Sequence, residues 1–235
     1  MRDVFGDLFG RPFGIVLFQL LEATQFTIYL SLIAFIGGGF VALLVTLARV
    51  SPSKNAKALT AGYIWAFQSV PLLMLLFLLG LGVPRLLGID IDPWIAASIA
   101  LVVYTSAYLS DVWRGAIEAI PDGQWQAGRA LGLRFLSVVR LIIVPQAFKL
   151  LLAPTVGFMV QIIKGTSLAF IIGFHDLMNV GKRWANAPVE GTEPFLIYPL
   201  MALIYFALCF PLSVWSRRLE RRLGSASKKP VLSAA

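Results

Sequence analysis

The chain has 235 residues, of which 58% are hydrophobic and only 14% are charged. A soluble globular domain is nearer to roughly 45–50% apolar and 25% charged, so this composition excludes an ordinary soluble protein and indicates an integral membrane protein. The formal net charge of +8 would suit a nucleic-acid partner, but in a membrane protein it indicates lysine and arginine collected in cytoplasmic loops.

Long uncharged apolar stretches predict where the chain crosses the membrane. A hydrocarbon core about 30 Å thick needs about 20 helical residues, and a helix satisfies its own backbone hydrogen bonds in lipid. The sequence therefore predicts an all-α integral membrane fold with five transmembrane helices, which are Thr27–Leu47, Leu59–Leu81, Trp94–Leu109 with an extension to Trp113, Leu141–Ile163 and Phe195–Trp215. Ahead of them, Pro12–Glu22 predicts a short N-terminal helix that lies at the membrane interface.

The distribution of lysine and arginine predicts the orientation of these spans. Most of the 20 basic residues fall on the side that carries the loop at about 114–140 and the C-terminus, and the positive side is cytoplasmic. We therefore expect an N-terminal periplasmic or interfacial segment over residues 1–24, a transmembrane domain over 25–217 and a basic cytoplasmic tail over 218–235. A basic tail next to a span is typical of a segment that meets anionic lipid.

The sequence contains no motif for binding a nucleotide or for catalysis. The patterns GxxxxGK[ST], HExxH and GxSxG are absent. Cys209 is the only cysteine and His175 the only histidine, which excludes a disulfide within the chain and a cysteine–histidine metal cluster. We expect no catalytic residue, no metal and no bound cofactor in this chain, so that another chain must supply energy for any work against a gradient.

The predicted cytoplasmic loop at about 114–140 contains a short predicted helix over Gly123–Leu131. The side chain of Asp122 can accept hydrogen bonds from the free N–H groups of its first turn. Gly132 can end it in a left-handed conformation.

The composition of this helix leaves two interpretations open. One part of its surface is expected to be formed by Ala127, Gly128, Ala130 and Leu131, and the small side chains there let another backbone approach. Trp125 is typical of the aromatic anchors of protein interfaces, and Pro145 can kink the fourth span. The loop is therefore either a surface for a partner or a hairpin connection that packs on its own helices.

Polar side chains at membrane depth are costly and usually face a cavity or a partner. The candidates for a solute path are Gln68, Ser69, Pro71, Tyr104, Thr105, Ser106, Tyr108, Gln161, Lys164, Thr166 and Ser167. Pro71 and Gly165 are expected to interrupt their helices, as in transporters with discontinuous spans. Lys164, at the end of the fourth span, can either bind a substrate carboxylate or extend to the outer headgroups.

Several strings resemble a known family of transport proteins. The run GQWQAGRALGL…IIVPQA resembles the EAA loop of bacterial ABC-importer permeases, which reads EAA, three residues, Gly, nine residues and I-x-L-P. The matching positions are Gln126-Ala127-Gly128, Gly132, Ile142 and Val144-Pro145. Three more strings are similar to the polar amino-acid branch of that family, and they are FQSVPLL (67–73), AYLSDVWRGAIEAIPDGQ (107–124) and IKGTSLAFIIG (163–173). The resemblance runs from about Leu20 to Leu223.

The resemblance implies a multi-pass protein of the bacterial inner membrane with the type I ABC-importer permease fold. It implies pairing with a second permease chain, either identical or a close relative, around a path for a polar amino acid. A cytoplasmic ATPase that holds ATP and Mg would dock on the loop helix 123–132, and a periplasmic solute-binding protein would deliver the cargo. ATP-driven closure of the ATPase pair would move the loop helices and open the path outward.

Two positions depart from the family pattern. Gln126 replaces the glutamate of EAA, so a charge-assisted contact becomes a weaker neutral one. Gly165 replaces the aspartate of the KDTSL string, which weakens the case for a cationic amino acid as cargo. The alternatives from other classes are an ion-gradient-driven carrier, which predicts inverted repeats and membrane carboxylates, and a non-transporting membrane scaffold, which has no need of the EAA spacing.

Overall fold

In a computed structural model of the chain, residues 10, 12–190 and 192–224 are described, and most of them are helical. The α-helices within these described residues are α1 Phe13–Val50, α2 Lys54–Ser69, α3 Leu72–Phe77, α4 Val83–Leu87, α5 Pro93–Glu118, α6 Asp122–Ala130, α7 Phe135–Val138, α8 Val144–Thr166, α9 Leu177–Ala185 and α10 Pro194–Gly224. Two π-turns join α3 to α4 and α7 to α8, at Leu78–Gly82 and Val139–Ile143, and a 3-10 helix, Ser167–Ile172, follows α8. The predicted N-terminal segment before residue 10 and the predicted tail after residue 224 lie outside the described residues.

The described helices confirm the all-α membrane architecture. Four continuous stretches are long and apolar enough to cross a membrane, and they are Phe13–Val50, Pro93–Glu118, Phe135–Ile172 and Pro194–Leu223. The bent pair Lys54–Ser69 and Leu72–Leu87 brings the number to five when it is counted as one broken span. Each of the five predicted spans corresponds to one of these stretches.

The predicted separate interfacial helix at Pro12–Glu22 is wrong, because α1 runs without interruption through this segment to Val50. Its 38 residues extend about 57 Å at 1.5 Å per residue, well beyond a hydrocarbon core of about 30 Å. Val16 and Leu20 are fully buried against α9 and α10. The first turns therefore pack against the protein, and the polar residues in this stretch lower its hydropathy without breaking the helix.

Pro71 breaks the second span, which the sequence predicted as one helix over Leu59–Leu81. Val70 is extended, with φ −96° and ψ 125°, because proline lacks an N–H group and disfavours a helical conformation in the residue before it. The chain bends by 97° at this point. Beyond the bend, α3 buries Leu72 and Leu76 in the central core.

The central core is centred on the packing of α1 against α5. A Cβ atom on Gly38 would lie 2.5 Å from Thr105 Cβ and 3.1 Å from the carbonyl oxygen of Val102, so the two helices approach as closely as they do because this position has no side chain. The buried residues around this contact are Leu30, Ala34, Leu72, Leu75, Leu76, Ala96, Ala97, Ala100, Leu101, Ile162, Ala169, Ile172 and Phe174. They join four of the spans into one body.

The fourth span is longer than predicted, and Gly165 does not interrupt it. The helix continues to Thr166 and then tightens into the 3-10 helix, and it ends at Gly173 with φ 85°. One glycine inside a helix costs only about 1 kcal/mol, which packing offsets. A Cβ atom on Gly165 would lie 2.9 Å from Leu72 Cδ2, so this glycine instead gives α3 room to approach.

Candidate functional site

The predicted loop helix is α6, and it begins one residue earlier than expected. Pro121 holds the cap position, and Asp122 is the first helical residue, so the capping role predicted for Asp122 is wrong. Its charge still lies in the first turn, where a carboxylate interacts favourably with the helix dipole.

The C-terminal end of α6 has the predicted left-handed glycine. Gly132 has φ 71°, and its N–H group donates to the Arg129 carbonyl at 2.9 Å. The N–H group of Leu133 donates to the Gly128 carbonyl at 3.2 Å. These two bonds form a Schellman motif, which ends the helix sharply and turns the chain toward α7.

One face of α6 packs on its own chain. A Cβ atom on Gly128 would lie 2.9 Å from Val138 Cγ2 and 3.0 Å from Ile142 Cδ1. The ring of Trp125 stacks on Phe135, with 6.1 Å between centroids and 22° between planes. The prediction that Gly128 shares a face with its small neighbours is therefore wrong, and Trp125 contributes to internal packing, as the hairpin interpretation expected.

The opposite face of α6, which we call the outward face, is open. It consists of Gly123, Gln126, Ala127 and Ala130, whose helical spacing places them together and all of which are exposed. Leu131 continues it at the end of the helix, with 77% of its surface exposed. Apart from Gln126, its only polar residue, the outward face carries only glycine and alanine, so the backbone of another protein can lie directly against it.

Exposed apolar residues follow α6 in the chain. Leu136 is 76% exposed, and it lines a hollow of about 760 Å³ together with Leu47, Val50 and Phe135. Contiguous exposed apolar surface marks an interaction site. Leu47 and Val50 line this hollow from the end of α1, whereas Phe135 and Leu136 belong, like the outward face, to the predicted loop region.

A small apolar cluster connects α6 with two spans. Its buried members are Ala116, Ile117, Ile120, Val138, Ile143 and Ala147, and Trp125 and Leu133 pack against it. The amide of Gln146 also donates to the side-chain oxygen of Gln124 at 3.3 Å. A displacement of α6 is therefore transmitted to the end of α5 and the start of α8.

Pro145 is the second residue of α8 and lies two positions after the π-turn Val139–Ile143. A proline ring clashes with the carbonyl four residues earlier in a regular helix, and the wider turn relieves that clash. The irregularity that the sequence predicted at Pro145 is thus a π-turn.

Three of the predicted path residues lie together on and beside α5. Tyr104 and Tyr108 have ring centroids 4.7 Å apart, and Tyr108 stacks on Phe158 at 5.5 Å. The amide of Gln68 donates to the carbonyl of Ala107 at 3.3 Å. All of these side chains are partly exposed and uncharged.

The other predicted path residues are more scattered. Lys164 is exposed and lines a separate hollow of about 310 Å³ with Ser167, Tyr198 and Tyr205, so it faces α10. Thr166 is fully buried and donates to the carbonyl of Ile163 in its own helix, which removes it from any open surface. The side chains of Ser69, Pro71 and Gln161 are exposed.

The sequence reasoning missed a buried carboxylate at the start of α9. Asp176 is completely buried, its Oδ1 accepts from the N–H group of Asn179 at 2.9 Å, and its Oδ2 has no protein partner among the described residues. Burial raises the pKa of this carboxyl from 3.8 to about 7. Aspartate is one of the residues preferred at a helix N-cap, so its position directly before the helix that begins at Leu177 was the available signal.

Comparisons with known proteins agree on one family. A family model described as the inner membrane component of binding-protein-dependent transport systems matches residues 34–225. The chain is 33% identical over 191 residues to the inner membrane amino-acid ABC transporter permease protein YhdY of Escherichia coli, which covers 78% of this chain and half of the length of that protein. It is 32% identical over 198 residues to the L-cystine transport system permease protein TcyB of Bacillus subtilis, covering 84% of this chain and 83% of that protein.

A solved structure has the same fold. The chain superposes on a crystal structure of an amino acid ABC transporter with histidines with a TM-score of 0.79 and 28% identity, covering 87% of this chain and 94% of that one.

Proposed function

Because this chain belongs to the family of inner membrane components of binding-protein-dependent transport systems, we propose that it forms the path for a polar amino acid. It is a transmembrane permease subunit of an ABC importer, with the type I permease fold. In such importers a separate subunit hydrolyses ATP, and the permease is not itself an enzyme.

The outward face of α6 is the docking site for the ATPase subunit in this proposal. The observation that carries it is the contrast between the two faces of one short helix. Gly128 and Trp125 fix the inner face to α5 and α8, while the outward face exposes only small residues around Gln126. A helix fixed on one side and bare on the other suits transmission of a partner's movement into the spans.

Gln126 sets the chemistry of this contact. It stands where the family has glutamate, so it can both donate and accept hydrogen bonds but brings no charge. We expect the groove of the matching ATPase to hold a neutral polar partner there. ATP and Mg would stay on the ATPase, and a second permease chain, identical or related, would complete the path.

The uncharged group around Tyr104, Tyr108 and Gln68 is our candidate for the solute path. Hydroxyl and amide groups beside aromatic rings suit a polar amino acid without a net positive charge. Gly165 supplies no carboxylate for a cationic side chain, and Lys164 lines a separate hollow with residues of α10, which does not include Tyr104 or Tyr108. A neutral polar amino acid is the cargo that these residues favour.

The proposed orientation follows the basic residues. The N-terminus lies outside, and the loop that contains α6 lies in the cytoplasm with the basic tail. The division into an outer segment, a transmembrane domain and a tail at residues 1–24, 25–217 and 218–235 follows from this orientation, and it places the outward face where an ATPase can reach it.

The docking proposal is tested by enlarging one small residue of the outward face. We would co-express the chain with its ATPase subunit and reconstitute the complex in proteoliposomes. Ala130→Arg would then be compared with the matched control Ala130→Ser. Copurification and stimulated ATP hydrolysis should be lost in the arginine variant, because its side chain holds the two backbones apart, and kept in the serine variant. An arginine variant that copurifies and turns over normally would show that α6 is only a connection.

The cargo proposal needs a separate measurement. Binding proteins loaded with neutral, acidic or cationic amino acids would be added to the same proteoliposomes. Stimulation by a neutral polar amino acid is expected, and stimulation by arginine or lysine alone would contradict the role given to the uncharged path.

A further inference from the structure

A hollow of about 300 Å³ separates α8 from α10 on the side of the chain that carries the basic tail. Lys149 and Pro154 line it from α8, and Ser216, Glu220 and Leu223 line it from α10. None of its lining residues belongs to the outward face of α6 or to the pair Tyr104 and Tyr108 of the proposed path. The transport function described above gives it no role.

The two helices meet tightly just beside this hollow. A Cβ atom on Gly157 would lie 3.2 Å from Ser216 Oγ, and that hydroxyl donates to the carbonyl of Ala153 at 2.8 Å. Pro154 has no N–H group to donate back to Leu150. The helices are therefore in contact beside the hollow, which we call the wedge.

The wedge lies at the level of the lipid headgroups. The apolar stretch of α10 ends at Trp215, which is 54% exposed, and aromatic residues of this kind mark the membrane interface. The first charged residue after it is Arg217. On the neighbouring helix, Ala153 lies at the level of Ser216, with which it shares a hydrogen bond, and Lys149 lies about one turn beyond it toward the loop that contains α6.

Opposite charges share the rim without pairing. Lys149 and Glu220 are both exposed, and no salt bridge joins them in the part of the chain that the structure describes. A cation and an anion that border one small space match a ligand that has one group of each sign. The apolar surface of Leu150 and Leu223 beside them suits an acyl chain.

We propose that this wedge binds a phospholipid whose headgroup carries both a phosphate and a primary ammonium group, as in phosphatidylethanolamine. Lys149 donates to the phosphate, and Glu220 accepts from the ammonium. A purely anionic headgroup would place its charge against the Glu220 carboxylate. A choline headgroup has no N–H group to donate to that carboxylate. We therefore expect anionic lipids and phosphatidylcholine to bind here more weakly than phosphatidylethanolamine.

The test measures retained lipid on the purified transport complex. The complex would be incorporated into nanodiscs that contain phosphatidylethanolamine, phosphatidylcholine and phosphatidylglycerol in equal amounts. It would then be released from the nanodiscs, and the lipids that stay bound to the protein would be counted by native mass spectrometry. We expect phosphatidylethanolamine to be enriched about fivefold over phosphatidylcholine, the size of one exposed ion pair. Glu220→Gln should abolish that preference. Lys149→Ala should weaken retention of both phosphatidylethanolamine and phosphatidylcholine. The matched control Lys57→Ala, on α2, should leave lipid retention unchanged.

Other outcomes would overturn the proposal. Equal retention of the three lipids would mean that the wedge is not selective, and a preference for phosphatidylglycerol that survives in Glu220→Gln would assign binding to the basic tail. Absence of all three lipids from the purified complex would mean that another subunit covers the wedge. None of these results affects the ATPase measurements on Ala130.

Discussion

The buried carboxylate of Asp176 makes the stability of this protein depend on pH. Replacing it with asparagine keeps an oxygen that accepts from the N–H group of Asn179 and removes the charge. The segment also stays attached to α1, because the N–H group of Leu177 donates to the hydroxyl of Thr27 at 3.2 Å. Asp176→Asn therefore isolates the effect of ionisation from the effect of losing a helix cap.

The size of the effect follows from the pKa difference. In the unfolded chain the carboxyl ionises near 3.8, and burial raises its pKa to about 7 in the folded chain. The folded state thus holds its proton more tightly, so the stabilisation is complete below about pH 4 and is lost as the pH rises to about 7. The free energy of unfolding should fall by up to about 4 kcal/mol across this window.

The assay is denaturant-induced unfolding of the purified chain in detergent micelles between pH 4 and pH 8. The two proteins should be equally stable near pH 4, and Asp176→Asn should be the more stable one at pH 8. Asp90→Asn, which removes an exposed carboxylate, serves as the matched control and should follow the unaltered protein. Parallel curves for the unaltered protein and Asp176→Asn would refute the reasoning.

Substitutions at Gly38, Thr105 and Gly132 test further details of the helices. Gly38→Ala should lower the free energy of unfolding by about 1–3 kcal/mol, since it places a methyl group against Thr105. Gly62 has open space around it, so the control Gly62→Ala should be neutral or slightly stabilising. Thr105→Val removes a buried hydroxyl that has no partner among the described residues and should raise the melting temperature. Gly132→Ala should lower the free energy of unfolding by about 1 kcal/mol and should reduce ATPase stimulation. Gly132→Asn should lower the free energy of unfolding by less, because asparagine tolerates a positive φ. Equal melting temperatures within each comparison would contradict these assignments.

The number and approximate limits of the spans could be predicted from hydropathy, because the thickness of the membrane fixes the length of a helix. The bend of the second span could not. Pro71 indicates where a helix breaks, but the 97° turn depends on where Leu72 and Leu76 find a buried site. Those contacts are with helices distant in sequence.

The loop helix shows a similar division. The left-handed end at Gly132 was predictable, because few other residues adopt that conformation. The assignment of its faces was not, because Ala127, Gly128 and Ala130 are all small and their spacing does not distinguish the inner face from the outer. Val138, on the following helix, decides the matter by occupying the space above Gly128.

Pro84 and Pro145 each follow a five-residue π-turn by two positions. Such a turn adds one residue to a helix, so the side chains before and after it are out of phase by about 100° compared with an unbroken α-helix. Deleting one residue within Val139–Ile143 would rotate α7, and the loop helix α6 attached to it, by about a quarter of a turn relative to α8 and leave the hydropathy profile almost unchanged. A chimaera that exchanges loops between relatives must therefore carry the π-turn with the loop, or the transplanted helix will meet its partner with the wrong side.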